Sequence, residues 1–385
     1  MSVNADSPGT IAAAGHVSLE STKVVDPHST RWGDFLKACI KLDASDLIMK
    51  SGTPPKLRLR GALKALDTAP VSKEEFMGIA KAILDEEQFA DLHKFGSVDF
   101  AYDYDEGNRF RVNLFQARGK LSVAARLITS KIRRFEDLYL PPIMADIAMQ
   151  PQGIVLLCGV TGSGKSTTIA AMLDYVNGQK PVHIVTIEDP IEYIFNDRKA
   201  TINQREIGID CLDFKIALRA LVRENPDIVL IGEMRDNETF EAALHAAETG
   251  HLVYGTIHAS STTQTFSRIY GLFEQEEVEG VRRILGYQMR AFVYQKLLPT
   301  LKPEIARIPA LEILVGDAVV RKHVLDSREG ELREYLKSIE AKQRGMIDFN
   351  GSLVELVEKE FIHMRTALEA TPNADELMMR LKKLG

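Results

Sequence analysis

Apolar and polar positions recur along this chain with two different periods, helical and strand-like, from Trp32 onward. Phe35, Leu36, Cys39 and Ile40 fall at helical spacing, and Phe76, Ile79, Ala80, Ile83 and Leu84 form a second helical stripe. Residues 56–60 alternate in the manner of a half-buried strand, and Gly61 then marks a turn. Residues 98–102 and 109–114 read as strands around Glu106-Gly107-Asn108. Together these elements predict a small α+β domain over 30–129.

Residues 1–29 are rich in Ser, Ala, Gly, Thr and Val without sustained periodicity, which predicts a mobile extension outside the fold. Residues 130–137 carry Lys131, Arg133 and Arg134 and precede Leu140-Pro141-Pro142, where two prolines interrupt regular structure. This polar stretch is the expected interdomain hinge. Over 138–385, apolar runs at 154–158, 182–187, 228–231 and 252–257 lack strict polar alternation and are separated by helical patterns. Strands covered on both faces by helices have this character, so a mostly parallel sheet with crossover helices is expected. From about Glu274 the pattern reads as mainly helical, with a last helix over 378–384.

The chain's 385 residues fit two domains of ordinary size. With 45% hydrophobic and 26% charged residues it has enough apolar surface to fold. No apolar run reaches the roughly 18 to 20 residues of a membrane span, and no basic segment followed by an apolar core opens the chain, so a cytoplasmic protein is expected. Cys39, Cys158 and Cys211 are too scattered for a disulfide framework or a four-thiolate zinc site, and they read as small buried side chains. A net charge of −6 argues against a general nucleic-acid binder, local basic faces aside.

The strongest chemical signal is Gly159-Val160-Thr161-Gly162-Ser163-Gly164-Lys165-Ser166. It fits the P-loop pattern, with a buried strand before it and a helical run through Thr168, Ala170, Ala171, Met172 and Leu173 after it. Glycines let backbone N–H groups converge on phosphate oxygens, and the following helix adds its positive end. Lys165 is expected to neutralise the β and γ phosphates of ATP, and Ser166 to ligate Mg2+. Gly159, Thr161, Gly162, Ser163, Gly164, Lys165, Ser166 and Thr167 are the candidate nucleotide-binding residues.

Binding alone is not hydrolysis, which needs a carboxylate near the γ-phosphate and a second acid for magnesium. Glu188-Asp189-Pro190-Ile191-Glu192 and Gly232-Glu233-Met234-Arg235-Asp236 each place acids after an apolar run, where ligands of α/β sheets bind. Taken singly, each cluster also reads as a helix start with acidic first-turn residues. His251 and His258 stand at the two ends of a predicted strand, and from the residues alone a core or surface role fits them as well as a functional one.

These boxes, together with Asn203-Gln204-Arg205-Glu206, Asn225-Pro226-Asp227 and Ala247-Glu248-Thr249-Gly250, resemble the secretion-ATPase superfamily, nearest to its PilT and PilU retraction motors. The resemblance runs from about residue 32 to 355. It implies an α/β, RecA-like P-loop ATPase domain joined to a smaller N-terminal PAS-like α+β domain. It further implies a homohexameric ring at the cytoplasmic base of a type IV pilus, against an inner-membrane platform protein and the inner face of the cytoplasmic membrane. Glu192 then corresponds to the water-activating glutamate, Glu233 to the magnesium-associated acid, and His251 and His258 to a histidine pair near the γ-phosphate. Arg111 and Arg126 resemble arginines of the N-terminal domain that reach a nucleotide.

Two features place the chain within the superfamily. The four-cysteine zinc insertion common in assembly ATPases cannot be built here, which points to the retraction branch. The family's C-terminal Ala-Ile-Arg-Asn-Leu motif is altered, its counterpart reading Val319-Val320-Arg321-Lys322-His323. That departure raises a PilU-like accessory subunit, working beside a second retraction ATPase, as the other reading. A nucleic-acid translocase is the more distant rival, and no stable nucleic-acid partner is expected.

Overall fold

The computed structural model describes residues 31–59, 61–105 and 107–382. The expected extension at 1–29, Arg60, Glu106 and the end of the expected last helix lie outside the described residues. The chain divides into two compact units, Met1–Leu127 and Ile128–Gly385.

The first unit runs α1 (Arg31–Lys41), β1 (Asp46–Lys50), β2 (Lys56–Leu59), β3 (Ala62–Ala65), α2 (Lys73–Ile83), α3 (Glu86–Phe95), β4 (Ser97–Asp105), β5 (Asn108–Ala117) and β6 (Lys120–Thr129). Its six-stranded sheet has the order β3-β2-β1-β6-β5-β4. Trp32, Phe35, Leu36 and Cys39 form one stripe of α1 and pack with Phe76 and Ile79 of α2. Alternate strand residues such as Phe110, Val112 and Leu114 meet them, leaving Arg111 and Asn113 on the other face. Each such fully buried large side chain contributes about 1.5–3 kcal/mol.

The second unit runs α4 (Ile143–Ala148), β7 (Gly153–Cys158), α5 (Lys165–Gln179), β8 (His183–Glu188), β9 (Thr201–Glu206), α6 (Phe214–Leu221), β10 (Ile228–Ile231), α7 (Asn237–Glu248), β11 (Leu252–Ile257), α8 (Thr262–Tyr270) and α9 (Val278–Gln288). It continues through β12 (Met289–Pro299), β13 (Arg307–Val315), α10 (Ala318–Leu325), α11 (Leu332–Tyr335), α12 (Ile339–Gln343), α13 (Phe349–Glu358), α14 (Met364–Ala370) and α15 (Ala374–Lys382). The sheet order is β13-β12-β7-β11-β10-β8-β9, parallel except at β13.

Every residue of β7, β10 and β11 is buried. Val155 and Leu157 join the core under α4 and α5, while Ile154, Leu156 and Cys158 join the core under α6, α7 and α9. This two-sided cover is what the unbroken apolar runs predicted.

The reading of a mainly helical region beyond Glu274 is corrected by β12 and β13, which together close one side of the sheet. Seven of the nine residues of β13 are buried, so neither period marks it and periodicity alone does not separate such a run from a buried helix.

Candidate active site

β7 ends at Cys158 and α5 begins at Lys165, so residues 159–164 form a turn at the carboxyl end of the parallel sheet. Gly159 and Gly164 take φ values of 147° and 89°. A Cβ on Gly159 would lie 2.6 Å from the carbonyl oxygen of Gln295, and one on Gly164 would lie 2.6 Å from that residue's Nε2. Backbone approach this close leaves room only for glycine.

Lys165 reaches back over the turn, donating to the carbonyls of Gly159 at 2.9 Å and Val160 at 3.2 Å. Burial lowers its pKa, while Glu233 and, more weakly, Glu192 favour its charged form. Ser163 is buried, and its hydroxyl has no partner among the described residues. An ammonium held by carbonyls and an orphaned buried hydroxyl in one glycine turn suit an anionic phosphate ligand. Ser166 sits half-buried in the first turn of α5, where a magnesium-ligating hydroxyl is needed.

Glu233 follows β10, and His258 follows β11. The imidazole of His258 bridges them to the turn: Nε2 lies 3.0 Å from Glu233 Oε1, and Nδ1 lies 3.2 Å from the Gly159 carbonyl. Arg235 donates to the other Glu233 oxygen at 2.5 Å and, with His258 and Lys165, holds the carboxyl below its usual range against the effect of burial. Glu192 is exposed and within electrostatic reach of Lys165. Lys165, Glu233 and His258 therefore converge on Gly159.

His251 does not join them. Gly153, at the start of β7, donates to its backbone carbonyl, and its Nδ1 lies 2.8 Å from the carbonyl of Ala246 near the end of α7. β11 and β7 are parallel, so His251 and His258 stand at opposite ends of the strand, about 23 Å apart. Within one subunit the structure brings His258, and not His251, to the glycine turn.

Arg126 on β6 binds Asp46 Oδ1 at 3.0 Å, and Arg58 on β2 binds the other oxygen at 3.1 Å, in one cross-strand row. Arg111 on β5 is exposed, opposite Ala101 of β4. Both candidate arginines thus lie on the solvent face of the first unit's sheet.

Several residues of the site carried no sequence signal. Gln295 of β12 is buried, donates to the Ser163 carbonyl at 2.8 Å and accepts from Thr168 Oγ1 at 2.8 Å. It falls in the stretch whose pattern was read as helical. Tyr193 meets Thr167 through their hydroxyls at 2.7 Å. Cys158, just before the turn, accepts from Thr265 and is inert, burial pushing its thiol up to about 12.

Residues 126–354 match the family model described as Type II/IV secretion system protein. The chain is 37% identical to the type IV pilus retraction ATPase PilT of Pseudomonas aeruginosa, over 87% of this chain and 96% of that protein. The chain belongs to the secretion-ATPase family. On its PilT/PilU-like side stands also the type IV pilus ATPase PilU of the same organism, 32% identical over 90% of each chain. A crystal structure of the retraction motor PilT with bound ADP superposes with a TM-score of 0.83 at 37% identity, covering 90% of this chain and 98% of that one.

The second unit is accordingly the RecA-like ATPase fold of a secretion ATPase. The P-loop, both acidic clusters and both histidines lie within the matched stretch. Arg126 opens that stretch, and Arg111 precedes it.

Proposed function

We propose that this secretion ATPase couples Mg-ATP hydrolysis to retraction of a type IV pilus, as a homohexamer acting on an inner-membrane platform protein from the cytoplasmic face. The observation that carries the reading is the convergence of Lys165, Glu233 and His258 on the P-loop, in a chain similar to PilT over nearly its whole length. Lys165 and the turn's backbone amides hold the β and γ phosphates. Ser166 and Glu233 hold magnesium, which supplies charge neutralisation at the phosphates. Glu192 orients and deprotonates the attacking water. Arg111 and Arg126 supply cations that stabilise charge on the transferred group, Arg126 exchanging Asp46 for phosphate as it does so. Residues 130–137 are the hinge across which the nucleotide cycle moves one domain against the other.

No helix among the described residues is long and apolar enough to cross a membrane, so membrane association in this reading passes through the platform. The test is Mg-dependent ATP hydrolysis by the purified full chain beside Lys165→Ala and Glu192→Ala. Activity lost in both variants supports the assignment, and normal turnover in either removes it.

One observation favours a second reading. α10 carries Val319-Val320-Arg321-Lys322-His323 in place of the family motif, which suits a PilU-like subunit supporting a partner motor. Pilus retraction in cells that lack any other retraction ATPase would rule it out.

A further inference from the structure

The segment that carries Glu192 has almost no regular structure of its own. Between β8 and β9 only a single bridge residue, Tyr193, interrupts the irregular backbone of 191–197. Its position must be set by side chains. Gln204 of β9 uses both ends of its amide for this: Nε2 donates to the Tyr193 carbonyl at 2.8 Å, and Oε1 accepts from the Phe195 N–H at 2.9 Å. The remaining Nε2 hydrogen points to Glu188 Oε1 at 3.3 Å. Thr186 Oγ1 donates to the same oxygen at 2.7 Å.

Glu188 is thus a buried carboxyl group, 9% exposed, one oxygen of which accepts from both Thr186 and Gln204. Close packing fixes it from behind, since a Cβ on Gly232, just after the neighbouring strand β10, would lie 3.2 Å from Glu188 Cα. Burying a carboxylate is costly, so an apolar residue at this place would be the cheaper way to fill the core. What a carboxylate adds is acceptor capacity, with about four lone-pair sites against the two of an amide oxygen.

We propose that Glu188 is a positioning residue for hydrolysis: its carboxyl oxygen orients the amide of Gln204, which holds the carbonyl of Tyr193 and the amide of Phe195 in the segment that carries Glu192. The inference rests on the reading of Glu192 as the water-activating group. Glu188 itself touches neither phosphate nor water. The same segment is tied to the P-loop by the Tyr193–Thr167 contact, so the hub sets Glu192 relative to the nucleotide rather than relative to solvent. The charged groups around it are Asp189 and Glu192 in the same segment, Glu206 opposite it on β9, and Glu233 with Arg235 beyond β10. Burial pushes the Glu188 carboxyl up to about 7, against the Thr186 and Gln204 donors, which favour its charged form.

The test is a double-mutant cycle on the full chain, with steady-state ATPase kinetics for Glu188→Leu, Glu192→Ala and the two combined. Leucine at 188 removes the acceptor oxygen that Thr186 and Gln204 share, which a glutamine there would keep, so the segment loses its anchor while the side-chain volume stays close. Expected for Glu188→Leu is a kcat lower by roughly 10- to 100-fold with a KM for ATP within about twofold of wild type. On the residual activity of Glu192→Ala, Glu188→Leu is expected to cost nothing further, because it acts only through Glu192. If Glu188→Leu keeps wild-type kcat, or lowers kcat equally in both backgrounds, the positioning role is wrong. If Glu192→Ala itself keeps full activity, the catalytic assignment fails instead. Should Glu188→Leu not fold, Gln204→Ala carries the same cycle, with the same kcat loss and the same non-additivity required.

Discussion

Gln295 Nε2 lies 2.8 Å from the backbone carbonyl of Ser163, tying β12 to the P-loop across 132 residues of sequence. The other end of the same amide accepts from Thr168 in the first turn of α5. Gln295→Leu keeps the volume and leaves a buried carbonyl and a buried hydroxyl without partners. Each orphan costs about 1–3 kcal/mol. The variant should unfold at a lower temperature and bind ATP more weakly, with both losses visible in thermal unfolding run with and without nucleotide. An unchanged nucleotide-induced shift would show that the strand does not support the turn.

The three loop glycines should differ in what they tolerate. A Cβ on Gly159 meets a backbone carbonyl and Ser163 Oγ at 2.7 Å, neither of which can move without opening the turn. On Gly164 it meets the end of the Gln295 side chain, which can give at the expense of its hydrogen bonds. On Gly162 nothing lies within 4 Å, so only the φ of 75° resists alanine, at roughly 1–2 kcal/mol. ATP affinity should fall in the order Gly159→Ala, Gly164→Ala, Gly162→Ala, the first losing the most. Equal losses at all three positions would contradict the packing argument.

The order of these losses follows from what sequence can and cannot carry. The P-loop is legible because its chemistry is local: eight consecutive residues supply turn, cation and hydroxyl. β7, β10 and β11 are legible because strands covered on both faces become unbroken apolar runs. Gln295 is not, because its role exists only once β12 lies beside β7, and a lone glutamine in a mixed apolar stretch signals nothing. Glu188 stood in a recognised acidic cluster, yet its difference from Glu192 is a difference of burial, which spacing does not report. The placement of the two histidines at opposite ends of β11 was legible, because six strand residues stand between them.

Glu188 should also make stability depend on pH in the unusual direction. Its carboxyl sits at about 7 in the fold instead of the usual 4.5, because burial disfavours the charge more than its donors favour it. Between those values the folded state holds a proton that the unfolded chain has released, so stability falls as pH rises. The contribution is complete below about 4.5 and lost by about 7, on the order of 3 kcal/mol. Glu233 and Glu376, held below their usual range, act oppositely and lose their contribution in acid. The difference between wild type and Glu188→Gln isolates the first effect: denaturant unfolding at pH 5 and pH 8 should show the variant gaining relative stability at the higher pH.

His251 and His258 provide a paired test of where the site lies. His258 sits between two acceptors, the Gly159 carbonyl and Glu233, with its side chain 44% exposed. Removing it takes little packing from the core, so His258→Ala should change stability by less than about 1 kcal/mol. It removes a side chain that links the end of β11 to both the turn and Glu233, so kcat should fall by about 10-fold or more. His251 instead accepts the Thr249 hydroxyl or donates to the Ala246 carbonyl where α7 ends, satisfying a helix-end group. His251→Ala should cost about 1 kcal/mol of stability and leave the affinity of the chain for Mg-ATP unchanged. Steady-state ATPase kinetics reads the His258 arm, and isothermal titration with a non-hydrolysable ATP analogue reads the His251 arm, each set beside thermal unfolding. A loss of nucleotide affinity in His251→Ala would mean that the residue reaches a nucleotide its own subunit does not hold, and would move the site from the subunit to the contact between copies.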